Sequence, residues 1–500
     1  MSTPGLAYSQ PYPGSATCVL LGRAETPGDP DLRGHRAILW FVDGEGAVHP
    51  PSELLPGALL PAPLEHLDSS RVISLLEQFV ARDARHLPSV FVTNDALARH
   101  TEAYQSVLTS VCSRLEDHHR IRTARQRFGF QWQRNVLANL PAYCRRRLPA
   151  AWRGALRGRA AFVCGSGPSL DRSAPALAPF SRHGIVIASD SALRTLAHAG
   201  ITADFAVTID ATKSPDKCLP VGQHPRHVVA SAVGDPAWVK AVPAGSLAFA
   251  ASRQITTVWL GENGVSAPDF SEAENSGATA IELARHLGCS PIYLFGFDLA
   301  VDADDRSRSH SADTEPTLYA GATIDPNRHL PELPGNYTPS VPSHLSRGWR
   351  SIDTRLAGWP AGLVFNVTDR GAWLTNTTLL HPDNFAPSGD EADAPIELLA
   401  PPEPAPAAAV DLAFRRIRAV AERSVLALPA LRAALEKGGP PALATEFRPH
   451  LADHTLGRVL GSFSLKIMPQ LMPPLEGDTL FWQGLLDEYA ALLEAAQRLQ

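Results

Sequence analysis

The sequence predicts an α/β fold: a modified Rossmann-type, largely parallel and doubly wound sheet, with an N-terminal α+β region before it and a helical domain after it. Three observations predict this. Short apolar runs alternate with helical periodicity between residues 160 and 300, the pattern of strand–helix–strand units in a parallel sheet. One of those runs, in RAAFVCGSGPSLD, passes from an apolar strand into a glycine turn and a helix start, the usual opening of an α/β ligand-binding unit. Beyond residue 411 only helical periodicity remains.

The elements follow in order. Residues 1–60 are rich in Gly and Pro, and AILWFVD (37–43) reads as a strand. In SSRVISLLEQFVARD, Val72, Ile73, Leu75, Leu76, Phe79 and Val80 share one broad helical face, SVFVT (89–93) reads as a strand, and a helical run occupies 101–140. After the strand before Gly165 come five more candidates: GIVIASD, DFAVTID, HVVASA, SLAFAAS and PIYLFGFDL. Between them, SALRTLAHAG and TAIELARHLG end on Gly200 and Gly288, which fit helix C-terminal caps. Residues 303–345 are polar and Pro-rich and read as loops over the ligand edge of the sheet. The domain expectation is therefore an N-terminal α+β domain over 1–120, a central domain over 121–390, a Pro/Ala linker over 391–410 and a helical domain over 411–500.

Composition narrows the function. The chain has 500 residues, with 45 Lys and Arg against 51 Asp and Glu, and lacks the basic excess that contact with a phosphate backbone favours. No nucleic-acid partner is expected. No apolar window approaches the length of a membrane span, and the first residues carry no basic segment followed by an apolar run. A cytoplasmic protein without a membrane partner is expected. The six cysteines show no metal-ligand spacing, so neither a disulfide nor a metal site is expected.

The chemistry lies at strand ends. In CGSGPSLD, Gly165 and Gly167 allow backbone N–H groups to face an anion, Pro168 suits a first helical position, and Ser166 and Ser169 add hydroxyls. A dinucleotide fingerprint is not met, because Leu170 stands where a third glycine belongs, and no Walker lysine follows. Ser189 and Asp190, Asp210, and Asp298 fall at three further strand ends, where open α/β sheets bind ligands. Each acidic group is equally able to cap a following helix. Asn275, Ser276, Gly277 and Thr279 crowd the start of another helix, a second N-terminus suited to a polar ligand or to an ordinary N-cap.

Taken in order, CGSGPSLD, ASDSALRTLAHAGITADFAVTID and NSGATAIELARHLGCSPIYLFGFDL resemble the central, MptE-like domain of motor-accessory-factor flagellin glycosyltransferases. FGFQWQRNVLANLP upstream, and LPGNYTPSVPSHL and FNVTDRGAWLTNT downstream, resemble that family's flanking blocks, so the resemblance covers roughly residues 120–385. It implies transfer of a nonulosonic acid, such as pseudaminic or legionaminic acid, from a CMP-linked donor to Ser/Thr hydroxyls of flagellin, with no cofactor beyond that donor. It further implies that Gly165, Ser166 and Gly167 hold donor phosphate or ribose, that Ser189 and Asp190 line the nucleotide, and that Ser276 and Gly277 contact cytidine or its phosphate. Asp210 and Asp298 would then face the reacting centre. The chain departs from the family's usual pattern at Asp369 and Arg370, where Glu and Gly are more frequent, and at Ser343, where Thr is usual.

Such a transfer needs a base for the acceptor hydroxyl and stabilisation of the leaving phosphate. Asp298, Asp210 and the loop histidines His310, His329 and His344 are the candidates for the base, and the sequence does not choose among them. Two other readings stand beside this one. An MptE-like 6-hydroxymethylpterin pyrophosphokinase would use Asp210 and Asp298 to hold Mg²⁺. A non-catalytic flagellin-binding protein would use the helical C-terminal domain for capture, and the same helices suit homodimerisation.

Overall fold

The computed structural model describes residues 6–10, 15–23, 32, 35–43, 58–64, 69–83, 86–99, 101–304, 306–312, 331–387, 399–472, 475 and 477–500. They fall into two units, one of residues 1–127 with 466–476, the other of residues 128–465 with 477–500.

The first unit holds strands β1 (Leu6–Gln10), β2 (Thr17–Leu21), β3 (Ala37–Val42), β4 (Leu59–Pro63) and β5 (Ser89–Thr93), with helices α1 (Ser69–Val80) and α2 (Asn94–Arg99) and the first part of α3 (Thr101–Arg145). The strands form one sheet in the order β1-β5-β2-β3-β4, parallel except for β1 against β5. Every residue of β2 and β3 is buried, as continuous apolar runs in a parallel sheet require. One sheet face meets Val72, Leu76 and Phe79 of α1 and Tyr104, Val107 and Val111 of α3. The expected strands at 37–43 and 89–93 are present, and the helix expected in SSRVISLLEQFVARD (69–83) runs over 69–80.

The second unit is built on an eight-stranded sheet. Its strands are β6 (Ala161–Cys164), β7 (Ile185–Ser189), β8 (Phe205–Thr208), β9 (His227–Ala230), β10 (Leu247–Phe249), β11 (Ile292–Phe295), β14 (Val364–Val367) and β15 (Thr377–Leu380), with the hairpin β12 (Glu332–Pro334) and β13 (Ser340–Pro342) apart from the sheet. The sheet order is β10-β9-β8-β7-β6-β11-β14-β15, every pair parallel. Its helices are α4 (Leu170–Leu177), α5 (Leu193–His198), α6 (Pro215–Cys218), α7 (Trp238–Ala241), α8 (Ile255–Glu262), α9 (Ser276–His286) and α10 (Ser346–Ala357). From β6 the chain adds strands outward to β10 and then returns to the other side of β6 with β11. The order in which strands are added therefore reverses between β6 and β11, the topological switch point at which such folds open a crevice. Ala161, Val163, Ile185, Ile187, Ile292 and Leu294 lie in one core with Ala278, Ile281 and Leu283 of α9.

All six central strands expected from the sequence are present, and Gly200 and Gly288 adopt positive φ. β14 and β15 are additions to that expectation. β14 reads poorly as a strand because the polar Asn366 interrupts its short apolar run.

The C-terminal helices α11 (Ala407–Val425), α12 (Leu428–Ala452), α13 (His454–Val459), α14 (Gly461–Ile467) and α15 (Thr479–Gln497) do not form the separate domain expected over 411–500. Residues up to 465 and from 477 belong to the sheet-bearing unit. The reason is polar as well as apolar: buried Gln133 of α3 donates to Val459 O (2.9 Å) and accepts from Ser462 N (2.9 Å), and Thr256 of α8 also donates to Val459 O. The expected linker is likewise held down where it is described. Arg147 and Glu403 exchange two backbone hydrogen bonds of 3.0 Å, Ala405 N donates to Cys144 O, and Trp152 Nε1 donates to Ala400 O. Residues 388–398 lie outside the described residues. The first expected boundary, at 120, falls instead at 127, within α3.

All six cysteines are free thiols. No helix among the described residues is long and apolar enough to cross a membrane.

Candidate functional site

The switch point brings the turn after β6 against the end of β11. Gly165 N donates to Phe295 O and Gly167 N to Gly296 O, both at 2.8 Å. A Cβ on Gly165 would stand 2.6 Å from Gly296 O, and one on Gly167 would stand 2.1 Å from Asp298 Oδ2. Both glycines are thus required by the close approach of the Gly296 carbonyl, and Gly167 also by the Asp298 carboxylate. Pro168 and buried Ser169 follow, and α4 starts at Leu170, itself fully buried.

Asp298 sits at the centre of this contact and is 1% exposed. Its Oδ2 accepts from Ser169 N (3.0 Å) and Ser169 Oγ (2.9 Å), while Oδ1 has a long 3.5 Å approach from Thr368 Oγ1. Its carbonyl accepts from Ala372 N at 2.7 Å. Gly371, at φ +85°, leaves room for this: a Cβ there would stand 2.6 Å from Asp298 Cα. Burial pushes the Asp298 carboxyl up to about 6, against the pull of the Ser169 hydrogen bonds and the Arg370 charge. The amides at 165, 167 and 169 therefore serve β11 and its carboxylate.

A cavity of 270 Å³ opens beside Asp298, and Pro168, Val301, Asp302, Tyr337, Asp369 and Arg370 are among its walls. Arg370 pairs with Asp369 at 2.9 Å and lies 3.7 Å from Asp302. The Arg370 hydrogen bond holds Asp369 below the usual carboxylate range. The hairpin that carries Tyr337 is fixed by Asn336, whose Nδ2 donates to Arg370 O and Ala372 O, and by Tyr337 Oη donating to Thr368 O. The LPGNYTP and FNVTDRGAW blocks thus form one wall.

Residues 308–310 contact the glycine turn and the start of α4. Ser309 N donates to Ser166 O (3.0 Å), Arg308 donates to Ser166 Oγ, and Ser309 Oγ lies 2.7 Å from Thr195 Oγ1. His310 is bound to Asp171 of α4, with Nδ1 2.7 Å from Oδ2.

A second polar cluster lies at the ends of β7 and β8. Ser276 Oγ donates to Asp190 Oδ2 at 3.2 Å, and Asp190 Oδ1 accepts from Ser191 N. Burial raises the Asp190 carboxyl, with the neighbouring Asp210 charge adding to it and the buried Lys213 ammonium opposing it. Asp210 accepts from Thr212 N and Oγ1. Ser189 Oγ is buried without a hydrogen-bond partner.

The sequence-expected residues thus divide. Gly165, Ser166, Gly167, Pro168, Ser169 and Asp298 meet at β6 and β11, and Ser189, Asp190, Asp210 and Ser276 belong to the second cluster. Asp210 does not join Asp298: it bonds to Thr212, Asp298 bonds to Ser169, and the strands they follow, β8 and β11, are three places apart in the sheet order. Asn275 is the N-cap of α9, accepting from Ala278 N (2.8 Å). Thr279 is fully buried, donating to Asn275 O and accepting from Ala273 N, so it is structural and does not face a ligand. Gly277 lets α9 approach Phe297, 3.1 Å from its ideal Cβ. Ser343 donates to Leu299 O at 2.6 Å, and His344 beside it is not among the residues lining the cavity. His329 lies outside the described residues. No sequence pattern marks Asp302 or Lys213; Tyr337, Thr368 and Arg370 fall within the LPGNYTP and FNVTDRGAW blocks. Among the described residues no three His, Cys, Asp or Glu side chains gather as a metal site would need.

This fold and site define a doubly wound α/β domain with a closed carboxylate at its switch point, and over residues 134–304 the chain matches the family model described as 6-hydroxymethylpterin diphosphokinase MptE-like. No curated protein matches the chain. Among solved structures, the motor-accessory-factor ("MAf") glycosyltransferase from Magnetospirillum magneticum AMB-1 is similar, with a TM-score of 0.52 and 16% identity over 97% of this chain and 78% of that one. At that identity the likeness establishes a shared fold.

Proposed function

We propose that the chain is a glycosyltransferase that moves a nonulosonic acid from a CMP-linked donor to Ser/Thr hydroxyls of flagellin. The observation that carries this reading is the cavity beside Asp298. It is large enough for a sugar and has a buried carboxylate whose pKa of about 6 suits a base near neutral pH. The shared fold with a glycosyltransferase supports the reaction class, and the ordered motifs that resemble the flagellin family support donor and acceptor.

In this reading the acceptor hydroxyl loses its proton to Asp298 Oδ1, since Oδ2 is occupied by Ser169. The hydroxyl oxygen bonds to the anomeric carbon, the bond from that carbon to the phosphate oxygen breaks, and CMP leaves with the electron pair. Arg308 and Ser166, joined at the mouth of the glycine turn, stabilise the leaving phosphate, and the Asp190 cluster takes the nucleoside.

The match to the MptE-like family favours a second reading, pyrophosphoryl transfer from ATP to a hydroxymethylpterin. Its expected Mg²⁺ ligands, Asp210 and Asp298, follow β8 and β11, strands three places apart in the sheet order, which weighs against a shared ion. One assay separates the two. The purified chain is given CMP-pseudaminic or CMP-legionaminic acid with flagellin in EDTA, and in parallel ATP, Mg²⁺ and 6-hydroxymethylpterin. A flagellin mass gain of one nonulosonic residue in EDTA is expected; pterin diphosphate without any flagellin modification would replace the first reading with the second.

A further inference from the structure

One stripe of α3 carries Gln131, Asn135 and Asn139, spaced four residues apart and so aligned on one helix face. All three donate to backbone carbonyls just past the ends of two adjacent strands. Gln131 Nε2 and Asn135 Nδ2 both donate to Ala211 O (3.1 and 3.2 Å), three residues beyond β8. Asn135 Nδ2 also reaches Val233 O (3.1 Å), and Asn139 Nδ2 reaches Ala232 O and Gly234 O (both 2.9 Å), beyond β9. Asn135 and Asn139 are each 1% exposed, and the Oδ1 atom of each is buried without a hydrogen-bond partner.

That last feature decides between two roles. A helix that merely covered a sheet would do so with apolar side chains, because a buried acceptor left unpaired is destabilising. Two amides with orphaned acceptors instead hold specific backbone carbonyls in place. The segments they hold, 209–214 and 231–235, carry Asp210 and Lys213 of the second polar cluster, and Trp238 Nε1 fixes the same stretch through Lys213 O at 2.7 Å.

We propose that Asn135 and Asn139 are positioning residues: the α3 amide ladder sets the loops after β8 and β9, and through them the Asp190–Asp210–Lys213 cluster where the nucleotide end of the donor binds. The binding half of this statement rests on the proposed CMP-sugar reading, and the positioning half does not. Small displacements of binding groups are enough for large losses.

The test uses the full chain with Asn135→Leu and Asn139→Leu, and with Asn135→Ala and Asn139→Ala should the leucine variants not fold. Backbone hydrogen exchange is read first. Loss of protection confined to 209–214 and 231–235, with 161–177 unchanged, is expected. Transfer kinetics should then show KM for the CMP-sugar rising about tenfold or more with kcat within about threefold. Protection lost evenly across the second unit, or unchanged at both loops, would overturn the positioning role whatever the wild type transfers. Localised loss in a chain whose wild type does not bind CMP would leave the positioning role intact and remove the donor reading. Localised loss with an unchanged KM in an active chain would overturn the link between ladder and donor.

Discussion

Asp298 combines two properties that usually exclude each other, since it is bound at the start of α4 by Ser169 and yet borders the cavity. Asn in its place keeps an acceptor for Ser169 and removes the charge, so Asp298→Asn is expected to lower turnover by about 10²-fold or more. A purely capping role would instead cost about 1 kcal/mol of stability with turnover retained, and measuring both on one variant separates the cases. The pH dependence has a definite sign. A carboxyl raised from 3.8 to about 6 by burial binds its proton more tightly in the folded chain, so its contribution to stability is full below pH 3.8 and is lost as pH rises through 6. Across that window it amounts to about 3 kcal/mol at most. Denaturant titrations at pH 5 and 7.5 should show Asp298→Asn narrowing the wild type's pH difference; an unchanged difference would mean that Asp298 titrates normally. Asp204, raised to about 6 by burial, keeps its own share in both proteins. Because a Cβ on Gly167 meets Asp298 Oδ2 and Gly296 O, Gly167→Val should lower Tm as well as weaken CMP binding, and a variant with native Tm would show that the contact yields.

At the scale of elements, the sequence announced strands and turns better than their reasons. The six central strands were readable because each is an apolar run bounded by Gly or by polar strand ends, as in FVCGSG and YLFGFD. The two glycines after β6 read as an anion cradle, but the partner that demands them, the end of β11, is 129 residues away at the Ser169–Asp298 contact, and no local pattern conveys that pairing. β14 was hidden by Asn366 and the hairpin by its prolines. The helix face of α3 was readable as a helix, whereas its amides gave no signal, because an Asn in a helix pattern ordinarily reads as a solvated position. Asp190, Asp210 and Asp298 each follow a strand end, as the apolar runs before them predict, and only the strand order separates the first two from the third.

At the scale of the molecule, the sheet order has a consequence during synthesis. β6 is made before both of its neighbours: β7 follows directly, whereas the other edge is completed only by β11, after β8, β9, β10 and α9 have been made. At common rates of elongation that edge stays open on the order of ten seconds. It consists of Ala161, Phe162, Val163 and Cys164, without a charge or proline to guard it, which is the composition that invites pairing with another chain. A fragment ending at residue 289 keeps this edge permanently. It should self-associate, seen as growing light scattering at micromolar concentration, while a fragment extended through β15 should not. A nascent chain of this protein is therefore exposed to its neighbours at the strand on which its cleft is later built, and its yield in a crowded translation system depends on how fast the ribosome reaches β11.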